Sequence, residues 1–296
     1  MMPESGLVLG VDIGYSQTRR SSGVAVLNWT KDKVELHANN VKALEVPDAV
    51  RAFVPADREI TCAALDGPIR GALDTIEVYR PAEKILTRAL HRLIGKPGQT
   101  NVPVGQKLNA AANRIGKWLR DEVKMAKARH QARIHELALV EAFPTHFLGV
   151  LFAEEQIPIA VRRNRSDLYY LNLAHSTSES ASPLADLLAR LLPDRVHMVD
   201  LEAIRNHDQC AAVICALTAL CVAAGQYLAV GQIKTGVIIL PPLESAAGLG
   251  TRRWAWNLIQ EKAQRIAEED QSDLKEYLIF EDKLPGGGTD ARSEQR

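Results

Sequence analysis

The chain reads as an α/β protein with a mixed central sheet, antiparallel in its first three strands and flanked by helices. Three observations predict this class. Short apolar runs near the N-terminus are separated by turn residues, later apolar runs alternate with helical periodicity, and one late segment is apolar nearly all round, as suits a helix buried against a sheet. The 296 residues are 46% hydrophobic, enough to bury a sizeable core. We read 1–281 as a single domain with a helical insertion at about 80–133, followed by a tail over 282–296. That tail holds Pro285, three glycines and mostly polar residues, and is expected to be disordered.

The first strand is Leu7 to Val11, closed by Asp12; Val24 to Leu27 forms its antiparallel partner after a glycine-containing turn, and Lys33 to Val41 completes a meander. Pro47 to Val54 follows as a short helix with Pro47 in its first turn. Ile60 to Leu65 is a second buried strand ending on an acid, Asp66, where Gly67-Pro68 stops regular structure. From Arg80 to about Arg133 the pattern is helical with a break around Gly95 to Gly105, and Trp118 and Leu119 are expected to face inward. Leu137 to Phe143 is another strand, with Glu141 near its end and Pro144 after it. Pro183 to Leu192 has the leucine spacing of an amphipathic helix, His207 to Tyr227 is the buried helix, and Gly236 to Leu240 is a last short strand. Leu243 to Glu269 is read as helical, anchored by Trp254, Trp256, Leu258 and Ile259.

Lys plus Arg and Asp plus Glu number 36 each. A net charge of zero excludes a global field drawing the protein to polyanions, so any phosphate contact has to be local. Arg114, Lys117 and Lys124 on the basic helix, with the cluster at Arg162 and Arg163, are candidates, though a solvated helix face reads equally well. The four cysteines, Cys62, Cys210, Cys215 and Cys221, lack CxxC spacing and suit buried small residues in a reducing compartment, which points to a cytoplasmic protein. No signal-peptide pattern is present. Ala211 to Val230 is apolar enough to raise a membrane span, but Thr218, Gly225 and Gln226 interrupt it, favouring a core helix and no membrane.

An acid directly after an apolar run is costly to bury unless it is paired or binds a cation. Asp12 could instead stabilise its turn with Gly14 and Ser16, and Asp208 could be an N-cap or first-turn acid. Recurrence of the arrangement at Asp12, Asp66 and Glu141 favours a common carboxylate site.

The segments GVDIG and GVAVL (Gly10 to Gly14, Gly23 to Leu27), LDGP (Leu65 to Pro68), VEAFPT (Val140 to Thr145) and HDQCAAVICALTAL followed by GVIILP (His207 to Pro241) occur in a definite order. Together they resemble a family of predicted ribonuclease H-like nucleases catalogued as domain of unknown function 429, and RPAEKILTRALHRLIG (Arg80 to Gly95) is similar to its arginine-containing helix. The resemblance spans about Gly6 to Pro242. It implies a ribonuclease H-like fold and a catalytic, metal-binding site of Asp12, Asp66, Glu141 and Asp208. One departure stands out. Where that family often has a second helix Asp, three residues after the first, this chain has Ala211.

Clustered carboxylates raise one another's pKa unless cations neutralise them, and hard oxygen ligands select Mg²⁺ or Mn²⁺. Two such ions about 4 Å apart can activate water and stabilise the leaving oxygen of a phosphodiester. The resemblance implies that Asp12 would bridge the ions, Asp66 and Glu141 would hold one or position the water, and Asp208 would complete the second. The expected function is therefore a divalent-metal-dependent nuclease acting on nucleic acid. Two rivals stand beside it. A non-catalytic binding or scaffold protein fits Ala211 and the zero net charge. A phosphotransferase of the sugar kinase and actin type fits DIGYS at Asp12 to Ser16, but a second glycine-rich segment in a second lobe is missing, the only glycine cluster being Gly286 to Gly288. No GxSxG elbow appears, and His130, His135 and His146 show no metal or triad spacing.

Overall fold

The structure is a computed structural model that describes residues 2–87, 90–132, 135–159, 165–175, 182–245 and 248–282. Nine strands form one mixed sheet. Strands β1 (Gly6–Asp12), β2 (Arg20–Trp29) and β3 (Lys33–Lys42) are the expected antiparallel meander. Strands β4 (Cys62–Asp66) and β5 (Leu139–Ala142) add in parallel beside β1. The far side is built by β7 (Gln226–Gln232), β8 (Gly236–Leu240) and β9 (Leu278–Asp282), and β6 (Val196–Met198) closes the near edge, in the order β6-β3-β2-β1-β4-β5-β8-β7-β9. Of the expected tail only Asp282, the last residue of β9, is among the described residues.

Helices cover both faces. Helices α4 (Pro144–Gly149), α5 (Arg165–Ala174), α6 (Pro183–Leu191) and α7 (His207–Ala223) pack with Val8, Ala64 and Val140 on one face. The other face carries α1 (Val46–Phe53), α2 (Pro81–Ile85), α3 (Pro103–Glu122) and α8 (Arg253–Glu269), packed on Leu9, Leu65, Leu139 and Ile238. The even and odd positions of each central strand thus serve different core layers, as the period of two demands.

Several elements differ from the sequence reading. The helix expected to run from Arg80 is a single turn plus one residue, α2, and α3 ends at Glu122 before Lys124. The span expected as one helix to Tyr227 splits: α7 stops at Ala223, and Gly225 with φ 65 turns the chain into β7. Apolar content cannot tell a buried helix from a buried strand, and only the left-handed glycine marks the boundary. Among the described residues no helix is long and apolar enough to cross a membrane. Helix α8 starts at Arg253, not Leu243, and its buried stripe is Ala255, Ile259, Ala263 and Ala267, with Trp254, Trp256 and Leu258 only partly covered. Leu119 is buried as expected, whereas Trp118 is partly exposed and donates from Nε1 to Glu122 Oε2 at 2.9 Å. All four cysteines are free and buried.

Close approach of α7 to the sheet depends on two glycines. A Cβ on Gly10 would lie 2.2 Å from Ala212 O and Ala216 N, and one on Gly23 would lie 1.9 Å from Asp208 O. Both contacts are to backbone, which cannot swing aside. Gly10→Ala is therefore expected to lift α7 from β1 and cost about 3 kcal/mol, measured as a lower urea midpoint. An unchanged midpoint would show that the layer is looser than this packing requires.

Candidate functional site

Asp12 and Asp66 are the last residues of β1 and β4 and are direct register partners across that parallel pair. Neighbouring strands lie about 4.8 Å apart and register partners share a face, so the two carboxylates stand side by side over α7. Both are half-buried. Neither accepts a hydrogen bond nor belongs to an ion pair among the described residues. The turn after β1 is held instead by Gly14 N donating to Ser22 Oγ at 3.0 Å and Arg19 N donating to Ser16 Oγ at 3.1 Å. Asp12 is thus free of the local turn role open to it in the sequence.

Asp208 reaches the same place from α7. The N-cap is Asn206, whose side chain accepts from Asp208 N at 3.0 Å and Gln209 N at 3.2 Å, leaving the Asp208 carboxylate as a first-turn acid. Gly23, the register partner of Asp12, lets this first turn press onto the sheet.

Burial, and for Asp12 and Asp66 also neighbouring carboxylates, disfavour the charged forms of these acids. Burial, then the neighbouring Asp66, Asp208 and Asp167 carboxylates, push Asp12 well above the usual carboxylate range. Asp66 is raised to about 7 by burial and by Glu141, against a lowering pull from His207. Asp208 is raised chiefly by burial, with His207 opposing.

Two residues of this cluster were not singled out from the sequence. His207 Nδ1 contacts Asp167 Oδ1 closely and lies 3.3 Å from Ser166 Oγ. Hydrogen bonding to Asp167 holds the His207 imidazole above its ordinary range, against a lowering effect of burial. The available signal was Ser166-Asp167 ahead of the helical LYYLNLA pattern, an N-terminal helix signature that brings an acid into a first turn.

Glu141 is placed differently. Its register partners are Leu65 and Ile238, which belong to the opposite core layer from α7. There both carboxylate oxygens are engaged. Arg80 Nη1 donates to Oε2 and Nη2 to Oε1, each at 2.7 Å, and Ile69 N donates to Oε2 at 3.1 Å. Arg80 also donates from Nε to Glu83 Oε1 at 2.8 Å, and all three side chains are buried. Glu141 and Asp66 meet only at the strand ends, where both border a cleft of about 60 Å³ beneath Pro97, Gly98 and Gly105.

The basic candidates scatter. Arg114 and Lys117 are exposed on α3, whose Gly105 borders the Asp66 cleft. At 1.5 Å per residue they lie about 14–18 Å further along the helix. Lys124 follows the helix and accepts at its backbone from Ile60 N, at the start of the β4 region and therefore at the opposite end of the sheet from Asp66. Arg162 and Arg163 lie outside the described residues.

Among the described residues no three His, Cys, Asp or Glu side chains are gathered as ligands of one metal ion. The donor chemistry nevertheless fits Mg²⁺ or Mn²⁺. Such ions bind through one or two carboxylates and complete their shell with water and substrate phosphate, and Asp12 with Asp66 meets that demand. Neither nitrogen nor thiolate is needed: Cys215, beneath the two acids, is held protonated by burial and by their charges.

No family model, curated protein or solved structure matches this chain.

Proposed function

We propose that the chain is a ribonuclease H-like nuclease that hydrolyses phosphodiester bonds with a divalent cation held by Asp12 and Asp66. The observation that carries this reading is the unpartnered pair of carboxylates in register at the carboxyl ends of two central parallel strands. Two half-buried anions with raised pKa values are a standing cost to the fold unless a cation relieves it. Support also comes from the antiparallel β1–β3 meander feeding parallel β4 and β5, with α7 delivering Asp208.

A bound Mg²⁺ or Mn²⁺ would supply charge neutralisation at the scissile phosphate and a more acidic water. The residues of the chain have separate tasks. Asp12 and Asp66 hold the cation. Asp208 adds negative charge on the helix side, and the Asp167 contact orients His207 beside it, where a protonated imidazole can donate to a phosphate oxygen. Glu141 orders the Gly67 to Arg80 loop through Arg80 and Ile69 N, so in this reading it positions Asp66 and is not a ligand. Nucleic acid is the substrate class, and Arg114 and Lys117 on α3 could meet phosphates further along an extended strand.

A second reading, an inactive scaffold with the same fold, is favoured by Ala211 and by the occupation of Glu141 by Arg80. Calorimetry with Mn²⁺ separates the two. The nuclease reading expects binding by the wild type, its loss in Asp12→Asn, and cleavage of labelled single-stranded or duplex substrate only by the wild type. Wild-type protein that binds no Mn²⁺ would eliminate the nuclease.

A further inference from the structure

A second cleft among the described residues is far from the acids. It is a cleft of about 850 Å³ at the other end of the sheet, where β1 and β4 begin and α7 ends, and its lining includes Gly6, Cys62 and Ala224. Arg58, Lys127 and Arg129 line it, with Glu59 the one acid on its described wall. None of the three cations is in an ion pair among the described residues; Arg58 only donates from Nη2 to Asn28 Oδ1 at 3.2 Å, and Lys127 and Arg129 are exposed. In a chain of zero net charge, three cations against one acid leave this cleft locally positive, which favours an anion.

The remaining walls limit what the anion is attached to. Cys62, Ala138 and Val222 provide an apolar side, and the buried His130 ring stands edge-on to Tyr227 with centroids 6.0 Å apart. The C-terminal turn of α7, through Ala223 and Ala224, brings the carbonyl end of a 17-residue helix to the cleft. That end carries partial negative charge and favours hydrogen-bond donors. A ligand suited to all three walls has phosphate at one end and a flat ring with amino or ring N–H donors at the other. The volume is that of an ordinary small-molecule site.

We infer that this cleft is a second binding site, separate from the carboxylates, for a small phosphorylated ligand of the nucleotide class. Phosphate oxygens lie against Arg58, Lys127 and Arg129, and the base lies between the apolar wall and the helix end.

The test is titration of the full chain with AMP and, separately, with inorganic phosphate, in EDTA so that no divalent cation bridges ligand to the acids. AMP is expected to bind more tightly than phosphate. Lys127→Gln/Arg129→Gln should weaken AMP about tenfold or more, since both exposed cations lose their charged contact with the phosphate. The charge-preserving Lys127→Arg/Arg129→Lys should keep most of the affinity, and Asp12→Asn should leave it unchanged. The inference is overturned if wild-type protein binds no AMP at millimolar concentration. It is equally overturned if the glutamine variant binds as well as wild type, or if phosphate alone binds as tightly as AMP. Because Asp12→Asn is silent here and decisive at the carboxylates, failure of one site does not imply failure of the other.

Discussion

Asp66→Asn is expected to make the metal-free protein more stable at pH 8. Asp66 has a folded-state pKa of about 7, raised by burial and by Glu141, against an ordinary carboxylate value near 4. Between those values the folded chain holds a proton that the unfolded chain has lost. Stability is therefore greatest below about pH 4 for this group and declines as pH rises through 7. The whole shift corresponds to about 4 kcal/mol, and the water contact of a half-buried group reduces what is realised. We expect a gain of about 2 kcal/mol, or about 4 °C in Tm, at pH 8 and almost none at pH 4. Mn²⁺ should raise the wild-type Tm at pH 8 and leave the variant unmoved. A variant less stable than wild type at pH 8 would mean that the Asp66 charge is already compensated by the protein.

Arg80→Met should have the larger effect and the opposite sign. Arg80 is 1% exposed and lies between Glu83 and Glu141, themselves 1% and 3% exposed. Burial and its guanidinium act against each other on Glu141, whose pKa stays above the ordinary range despite the bidentate pair. Removing the cation leaves two buried carboxylates without their charge partner, at a cost of about 3–5 kcal/mol. Glu83 retains Thr100 N at 3.1 Å, so the greater part of the loss falls on Glu141. The double substitution Arg80→Met/Glu141→Leu is accordingly expected to recover more than half of it. Urea unfolding of both variants decides this, and equal losses in the single and double substitutions would refute it. If Glu141 instead serves as a metal ligand, the Arg80 variant should gain Mn²⁺ affinity, since its competitor has been removed.

Much of the fold could be read locally. Strands β1, β4 and β8 are dense apolar runs bounded by acids, glycine or proline, and such boundaries leave a strand little freedom to shift. Helix α6 showed itself through leucine spacing, and Ser182 caps it by accepting from Ala185 N at 3.3 Å. Edge strands β6 and β9 were not legible. Val196 and Met198 are 68% and 62% exposed, so no burial pattern identifies β6, and β3 supplies its pairing from far along the chain. Helix α5 was hidden for a related reason: its buried Tyr169 and Tyr170 are adjacent and disrupt a simple helical stripe.

For the candidate site, the sequence alone determined that Asp12 and Asp66 end buried strands, because an apolar run followed by Gly or Gly-Pro leaves the acid at the boundary of the core. Only the tertiary structure decided which acids share a face. The parallel register pairs Asp12 with Asp66 and Leu65 with Glu141, and a strand's side chains alternate between faces. That parity turns Glu141 towards Arg80, while the packing of α7 on Gly23 and of α5 on α7 brings Asp208, His207 and Asp167 to the acids. Strand ends are set by near neighbours in the chain, whereas register and helix docking are set by contacts between residues tens to hundreds of positions apart.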